Sequence, residues 1–248
     1  MKRDEILARS SLDTSDTTTL ARLQAQRRSC RAFSSQQIPA DVLQRVFELA
    51  QLTASWCNAQ PWQVIVTRGA GTEKFRTGLH EVASADAMKQ ISPEARMSAD
   101  RRSDLPMPSE YTELRKERRR KAGGQLYEAM GVMSDRAASA KYTLENFRLF
   151  DAPHAVILTS AKELGTYGVL DVGGYLANLM LVLQSFGVSS IAQAALAVYG
   201  DYVHYFFKIP DDRVVICGMS IGYADEGHPS ASFRTSRAPL SEIVTWYD

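Results

Sequence analysis

The chain has 248 residues, 45% of them hydrophobic and 23% charged, with a formal net charge of +1 at pH 7. These proportions are ordinary for a globular protein with a sizeable core, and they give no global charge argument for nucleic acid or an acidic membrane. Cys30, Cys57 and Cys217 are scattered without a CxxC pair. That argues against a disulfide framework and for a reducing compartment. The first ten residues alternate charged and apolar types and lack a signal-peptide core, so a cytoplasmic location is the default expectation.

Residues 1–17, rich in Ser, Thr and Asp, read as a flexible arm ahead of one domain spanning 18–248. Thr17, Thr18 or Thr19 is placed to cap a short helix running toward Gln26. Pro39 suits the first turn of a second helix, in which Val42, Leu43, Val46, Phe47 and Ala50 recur at helical spacing. A polar loop, 54–61, leads into the β-branched run Trp62–Thr67, a strand. From Thr72 to about Lys121 the chain is polar, with Pro93, Pro106 and Pro108, and reads as helix, loop and helix. Residues 92–124 of it form a lid-like insertion. Ala155–Thr159 is a second strand. Leu170–Phe186 is apolar nearly all round, which predicts a buried helix, with Gly187 after its C-cap. Asp171, Asn178 and Gln184 interrupt it, and its length argues against a membrane span. Ile209-Pro210 stops another helix, Arg213–Tyr223 is a third strand and Glu242–Trp246 a candidate fourth. Few strands between long helices predict an α+β fold, with a central mixed, mainly antiparallel sheet flanked by helices.

Three segments carry chemistry. Arg27, Arg28, Ser29 and Arg31 follow a helix closely and offer paired guanidinium donors and a hydroxyl suited to a phosphate; a solvated basic turn is the plainer reading of such a cluster. Ser55, Asn58 and Gln60 offer hydrogen bonds of both polarities, as a flat heterocycle with a polyhydroxyl chain requires, or as a loop capping its own backbone requires. Arg237 is a distant second source of positive charge, although a lone arginine before a proline turn is its plainer reading.

In this order the segments resemble the nitroreductase family of FMN enzymes. The family pattern Arg-Arg-Ser-x-Arg is Arg27, Arg28, Ser29 and Arg31 here, followed by Ile38-Pro39. Its Pro-Ser-x-x-Asn-x-Gln-Pro-Trp is 54–62, with Ala54 replacing the usual proline. Then come the apolar glycine-containing helix, the run 187–195, the strand with Gly218, Gly222 and Tyr223, and the tail Arg237-Ala238-Pro239-Leu240. The segment 145–154 resembles the branch that includes nitrobenzoate reductases, although Ala231 stands where that branch often has asparagine.

The resemblance implies a homodimer with a swapped C-terminal tail and a bound FMN. Hydride would pass from NAD(P)H to a nitroaromatic or similar small aromatic acceptor by a ping-pong mechanism. Arg27, Arg28, Ser29, Arg31 and Arg237 would hold the phosphate and ribityl end. Ser55, Asn58 and Gln60 would reach the flavin, from the partner subunit or directly. Ile191, Ala192, Gln193 and Ala194 would pass along a flavin edge, where a backbone N–H faces the reactive nitrogen. No protein residue need be catalytic, since the flavin carries the reaction.

Related flavin chemistry, reductive dehalogenation or flavin breakdown, is the alternative within the fold. Tyr111, Arg115 and Arg118 in the lid suit an anionic aromatic acceptor. The basic run 115–121 also raises a non-catalytic flavin- or nucleic-acid-binding module, but Glu113 and Glu117 are spaced to pair with it along a solvated helix; nucleic acid is not expected as a partner. His80, His154, His204 and His228 lack metal-ligand spacing, so no metal is expected. His154, just before a strand, reads as structural.

Overall fold

The computed structural model describes residues 14–89, 103–108, 110–133 and 135–248. Helix α1 spans Ser15–Gln26 and is capped by the Thr14 side chain, which accepts from the Thr17 N–H. The helix therefore starts inside the expected arm and three residues ahead of the expected caps; the rest of the arm, residues 1–13, lies outside the described residues. Helix α2 (Ala40–Ala50) follows Pro39 and buries Leu43, Val46 and Ala50 on one face. Strand β1 is Trp62–Val66, and helix α3 is Ala70–Lys89. Helices α4 (Glu113–Ala129) and α5 (Arg136–Leu144) come next. The expected lid falls partly outside the described residues, at 92–102 and 109.

Strand β2 (His154–Ala161) is buried along almost its whole length. Helix α6 (Gly165–Ser185) then runs to Gly187, whose φ of 72° glycine adopts without a Cβ penalty. Strand β3 (Ser189–Gln193), the short helix α7 (Ala194–Ala197), helix α8 (Gly200–Phe207) and strand β4 (Arg213–Gly222) complete the ordered elements. The sheet order is β1-β2-β4-β3, and all three pairings are antiparallel; the parallel component is an isolated bridge from Ser29 to Ser190. The candidate strand at Glu242–Trp246 does not form: Leu240–Glu242 is a 3-10 turn and the chain beyond it is irregular. Its β-branched residues pair with neither edge of the sheet within this chain, and propensity alone does not make a strand.

Alternation along β2 divides the interior. Val156 and Leu158 face a core built with α2 and α6, whereas Ala155 and Ile157 face one built with α3, α7 and α8. Gly218 in β4 is needed where these layers meet, because a Cβ there would lie 2.4 Å from the Leu196 side chain of α7. Helix α6 is buried on one stripe, Val172, Tyr175, Leu179 and Leu183, and not all round as its composition predicts. The opposite stripe of Leu170, Gly173, Gly174 and Ala177 is exposed. By length and composition α6 could cross a membrane, yet its buried stripe is packed in the core beneath the sheet, which accounts for its apolar character. Each fully buried leucine contributes roughly 1.5–3 kcal/mol relative to exposure, so Leu179 and Leu183 alone anchor α6 firmly.

Candidate functional site

The basic segment is held against a sheet edge. Arg27 closes α1, its N–H donating to the Leu23 carbonyl. Beyond it the Cys30 N–H donates to Ser190 O at 3.0 Å, and the Ser34 N–H to Tyr223 O at 2.9 Å. Residues 28–34 thus run along the outer edge of β3 and the end of β4. The tail returns across them, so that Arg27, Ser29, Arg31, Phe233, Thr235 and Arg237 line one cleft of about 70 Å³. That is more than a water's share of liquid, about 30 Å³, and well below the roughly 300 Å³ at which whole-ligand pockets begin. The cleft suits a phosphoryl group rather than a complete nucleotide.

Its electrostatics are those of gathered cations. Burial lowers the Arg27 guanidinium from its ordinary value, and the charge of Arg237 lowers it further. Burial also lowers Arg31, opposed by Tyr142 and Cys30. Among the described residues Arg31 makes no ion pair; it donates to Ser29 O and lies over the Phe233 ring at 5.8 Å. Gathered, partly desolvated cations are costly unless an anion joins them. Arg28 departs from the expectation: its guanidinium forks onto Glu226 at 2.7 and 2.8 Å, which occupies it. Arg237 lines the cleft together with Arg27 of the same chain.

Strand β3 presents backbone rather than side chains. Ile191 packs in the core. The Gln193 amide donates to Asn146 O at 2.9 Å, and its oxygen accepts from the Ser220 hydroxyl. Neither side chain is available to a ligand. The Ser190 carbonyl bonds outward to Cys30, and backbone direction alternates along a strand, so the Ala192 N–H points out along the same edge. Ala194 is exposed at the end of the strand.

The loop with Ser55, Asn58 and Gln60 lies elsewhere. It rests on the start of α6, where the Asp171 carboxylate accepts the Trp56 N–H and the Trp56 ring packs on Tyr167 at 4.0 Å. Cys57, Asn58 and Gln60 all have positive φ, a strained arrangement for side-chain-bearing residues. The Ser55 hydroxyl accepts the Gln60 N–H, and the Gln60 amide is engaged by Gln51 and by Asn58 O. The Asn58 side chain makes no such bond among the described residues.

Pairing runs Trp62 to Ser160 on one edge, and His154 to Ile221 to Ser190 to Ser29 on the other. Four strand spacings and six residues along β2 separate Trp62 from Ser29, about 19 Å by about 20 Å. The loop and the arginine cleft therefore occupy diagonally opposite corners, and one chain does not bring them together. Phe233, Thr235 and the loop-anchoring Asp171 escaped the sequence reading; the signal for Asp171 was a lone carboxylate in an apolar helix. In the lid, Arg118 is paired with Glu242, Arg119 lies over Tyr111 at 5.0 Å and Arg115 donates to Thr112. Of the lid residues expected to meet an anionic acceptor, Arg118 is thus engaged by a carboxylate of this chain.

A phosphate-sized cationic cleft beside the β3 edge of a helix-flanked antiparallel sheet defines the class of protein, and comparison with known proteins gives its family. The Nitroreductase family profile matches residues 25–223, and the chain belongs to that family. It is 32% identical over 241 residues to the nitroreductase NfnB of Mycolicibacterium smegmatis, covering 94% of this chain and 97% of that one. It is also 32% identical to a 4-nitrobenzoate reductase of Nocardioides sp. (strain LMS-CY), covering 89% and 86%. The crystal structure of FMN-dependent NfnB from Mycobacterium smegmatis in complex with NADPH superposes with a TM-score of 0.84 at 30% identity, covering 94% of this chain and 100% of that chain.

Proposed function

We propose that this chain is an FMN-dependent oxidoreductase that passes reducing equivalents from NAD(P)H to a nitroaromatic acceptor, acting as a homodimer. The observation that carries the reading is the convergence of Arg27, Ser29, Arg31 and Arg237 on a phosphate-sized cleft beside the β3 edge. The donor set fits a flavin phosphate: guanidinium groups present paired N–H donors to phosphate oxygens, and Ser29 adds a hydroxyl. The Ala192 N–H on the adjoining edge is a fixed donor for a ring nitrogen. When bound, a flavin supplies two-electron chemistry in two alternating half-reactions, the ping-pong order.

The protein's part is to hold, orient and shield. Ser55, Asn58 and Gln60 join the site from a second copy, because within one chain they lie at the far corner of the sheet. The exposed stripe of α6 and the exposed tail residues Ile243, Trp246 and Tyr247 are the surfaces that copy would cover. Three free thiols fit a cytoplasmic setting.

The test is direct. Purified protein should be yellow, bleach with NADPH or NADH under anaerobic conditions, and recover its colour on addition of 4-nitrobenzoate or nitrobenzene. Charge-assisted bonds to such an anion are worth roughly 1.5–3 kcal/mol each, so Arg27→Ala or Arg237→Ala should weaken FMN binding about tenfold to a hundredfold with the fold intact. A protein that neither carries nor takes up FMN sinks the proposal.

A further inference from the structure

Asp171, Asn178 and Gln184 interrupt the apolar run of α6. Asp171 and Asn178 are half-buried, and polar groups drawn away from water need partners. Both find them in the same loop. The two Asp171 carboxylate oxygens accept the Trp56 N–H at 3.2 Å. The Asn178 amide donates to the Thr53 hydroxyl at 2.8 Å, and that hydroxyl donates onward to Ala50 O at 2.7 Å. Tyr167 packs on the Trp56 ring, and Gly174 lies under Thr53, where a Cβ would be in ordinary contact at 3.9 Å. Residues 167, 171, 174 and 178 follow steps of four, three and four, so they share one face of the helix. That face borders the exposed stripe of Leu170, Gly173 and Ala177.

The loop mounted there does not hold its shape by propensity. Cys57, Asn58 and Gln60 have φ of 51°, 55° and 46°, and such positions persist where the surroundings over-determine them. The Gln60 N–H donates to the Ser55 hydroxyl and the Asn58 N–H to Ser55 O, which closes the loop on itself. Gln51 ties its far end to α2, and Asp171 and Asn178 tie its near end to α6. We propose that Asp171 and Asn178 are positioning residues for cofactor binding: a two-point mount on α6 that holds Ser55, Asn58 and Gln60 where a second copy's flavin meets them. The inference rests on the flavin reading and its second copy. It gives two polar interruptions of an apolar helix one role, and it sets the loop beside the stripe on which the copies would pair.

FMN titration of the full chain, followed by flavin fluorescence, tests it alongside sedimentation and melting of the FMN-free protein. Loss of a positioning hydrogen bond should weaken FMN binding about tenfold in Asp171→Leu and about threefold in Asn178→Leu. Both proteins should remain dimers. Their FMN-free melting temperatures should be no lower than native, since leucine is the better helix former and the freed loop groups can turn to water. Asp171→Asn keeps an acceptor oxygen for the Trp56 N–H and should restore FMN affinity to within about threefold of native. Asn58→Gly removes a loop side chain but keeps a left-handed backbone that glycine tolerates. In that background the Asp171→Leu loss should shrink to below about threefold, because both changes act through one loop. Three results overturn the inference: native FMN affinity in both leucine variants, losses that add in the Asn58→Gly background, or a dimer lost together with FMN, which would make the two residues part of the subunit contact. Should Asp171→Leu not fold, Asn178→Leu decides the same points. A native protein that takes up FMN as a dimer while its variants give any of these results loses this inference alone. A native protein that takes up no FMN, or holds it as a monomer, removes the reading beneath it.

Discussion

His154 shows how one residue couples the site's support to pH. Its ring is 1% exposed at the start of β2. Nε2 lies 3.1 Å from the Ile38 N–H and accepts from it, and Nδ1 donates to Thr67 O at 3.0 Å. That pairing requires the neutral ring, and a second proton would turn the acceptor for Ile38 into a donor. Burial lowers its pKa first, the Thr67 carbonyl opposes, and Arg68 lowers it further. A folded pKa below the unfolded value means that the contribution is present above about 6.5 and is lost as pH falls through the folded value. The melting temperature should therefore drop between pH 7 and 5, and His154→Gln should flatten that limb while costing some stability at pH 7. Parallel curves for the two proteins would show that another group sets the acid limb. The sequence reading of His154 as structural agrees with these contacts.

At the scale of elements, Asp104 ties the segment 103–108 to the body. Its carboxylate accepts the Val215 N–H of β4 at 2.6 Å and the His204 Nε2 at 2.8 Å, while His204 Nδ1 faces Ile209 O at 3.1 Å. With acceptors at both nitrogens, the geometry calls for an imidazolium. Burial pulls His204 down, but the hydrogen bonds to Asp104 and Ile209 and the charges of Asp104 and Asp211 outweigh it, and the net direction is up. Here the sign reverses: the contribution is complete below about 6.5 and is lost as pH rises through the raised folded value. Asp104→Asn should lower the melting temperature more at pH 6 than at pH 9, the opposite pH sense to His154. An equal loss at both values would assign the effect to the Val215 bond alone. Lying 111 residues apart, Asp104 and Val215 have no pattern that would pair them in the sequence.

For the whole molecule, the decisive feature is the separation of the two groups of candidate site residues. The arginine cleft is on the β3 edge and the Ser55 loop is beyond the β1 edge, with the exposed Leu170, Gly173, Gly174 and Ala177 stripe of α6 on the helix that carries the loop. On the proposed function, a symmetric pairing about that stripe would bury the same patch on both copies and bring each loop toward the other chain's cleft. Ala177→Asp places a charge on a position that is exposed in the single chain, so the subunit fold should survive. The variant should sediment as a monomer and lose FMN together with dimerisation. A monomer that retains FMN at native affinity would show that one chain suffices.

Much of the protein was legible because some residue types do little else in such patterns. Guanidinium and hydroxyl donors in the order Arg27, Ser29 and Arg31 suit a phosphate, and the β-branched runs of β1, β2 and β4 and the helical spacing in α2 report local preferences. Strand β3 escaped because Ser189–Gln193 has a single β-branched residue; it is a strand through its pairing with β4. Tertiary structure alone decided that Arg28 turns to Glu226 and Gln193 to Ser220 and Asn146, that Arg237 returns to its own Arg27, and that α6 buries one face and exposes the other. Each depends on a contact between residues far apart in the chain, and hydrogen-bond geometry and desolvation at such contacts are set by the packed fold, not by local sequence.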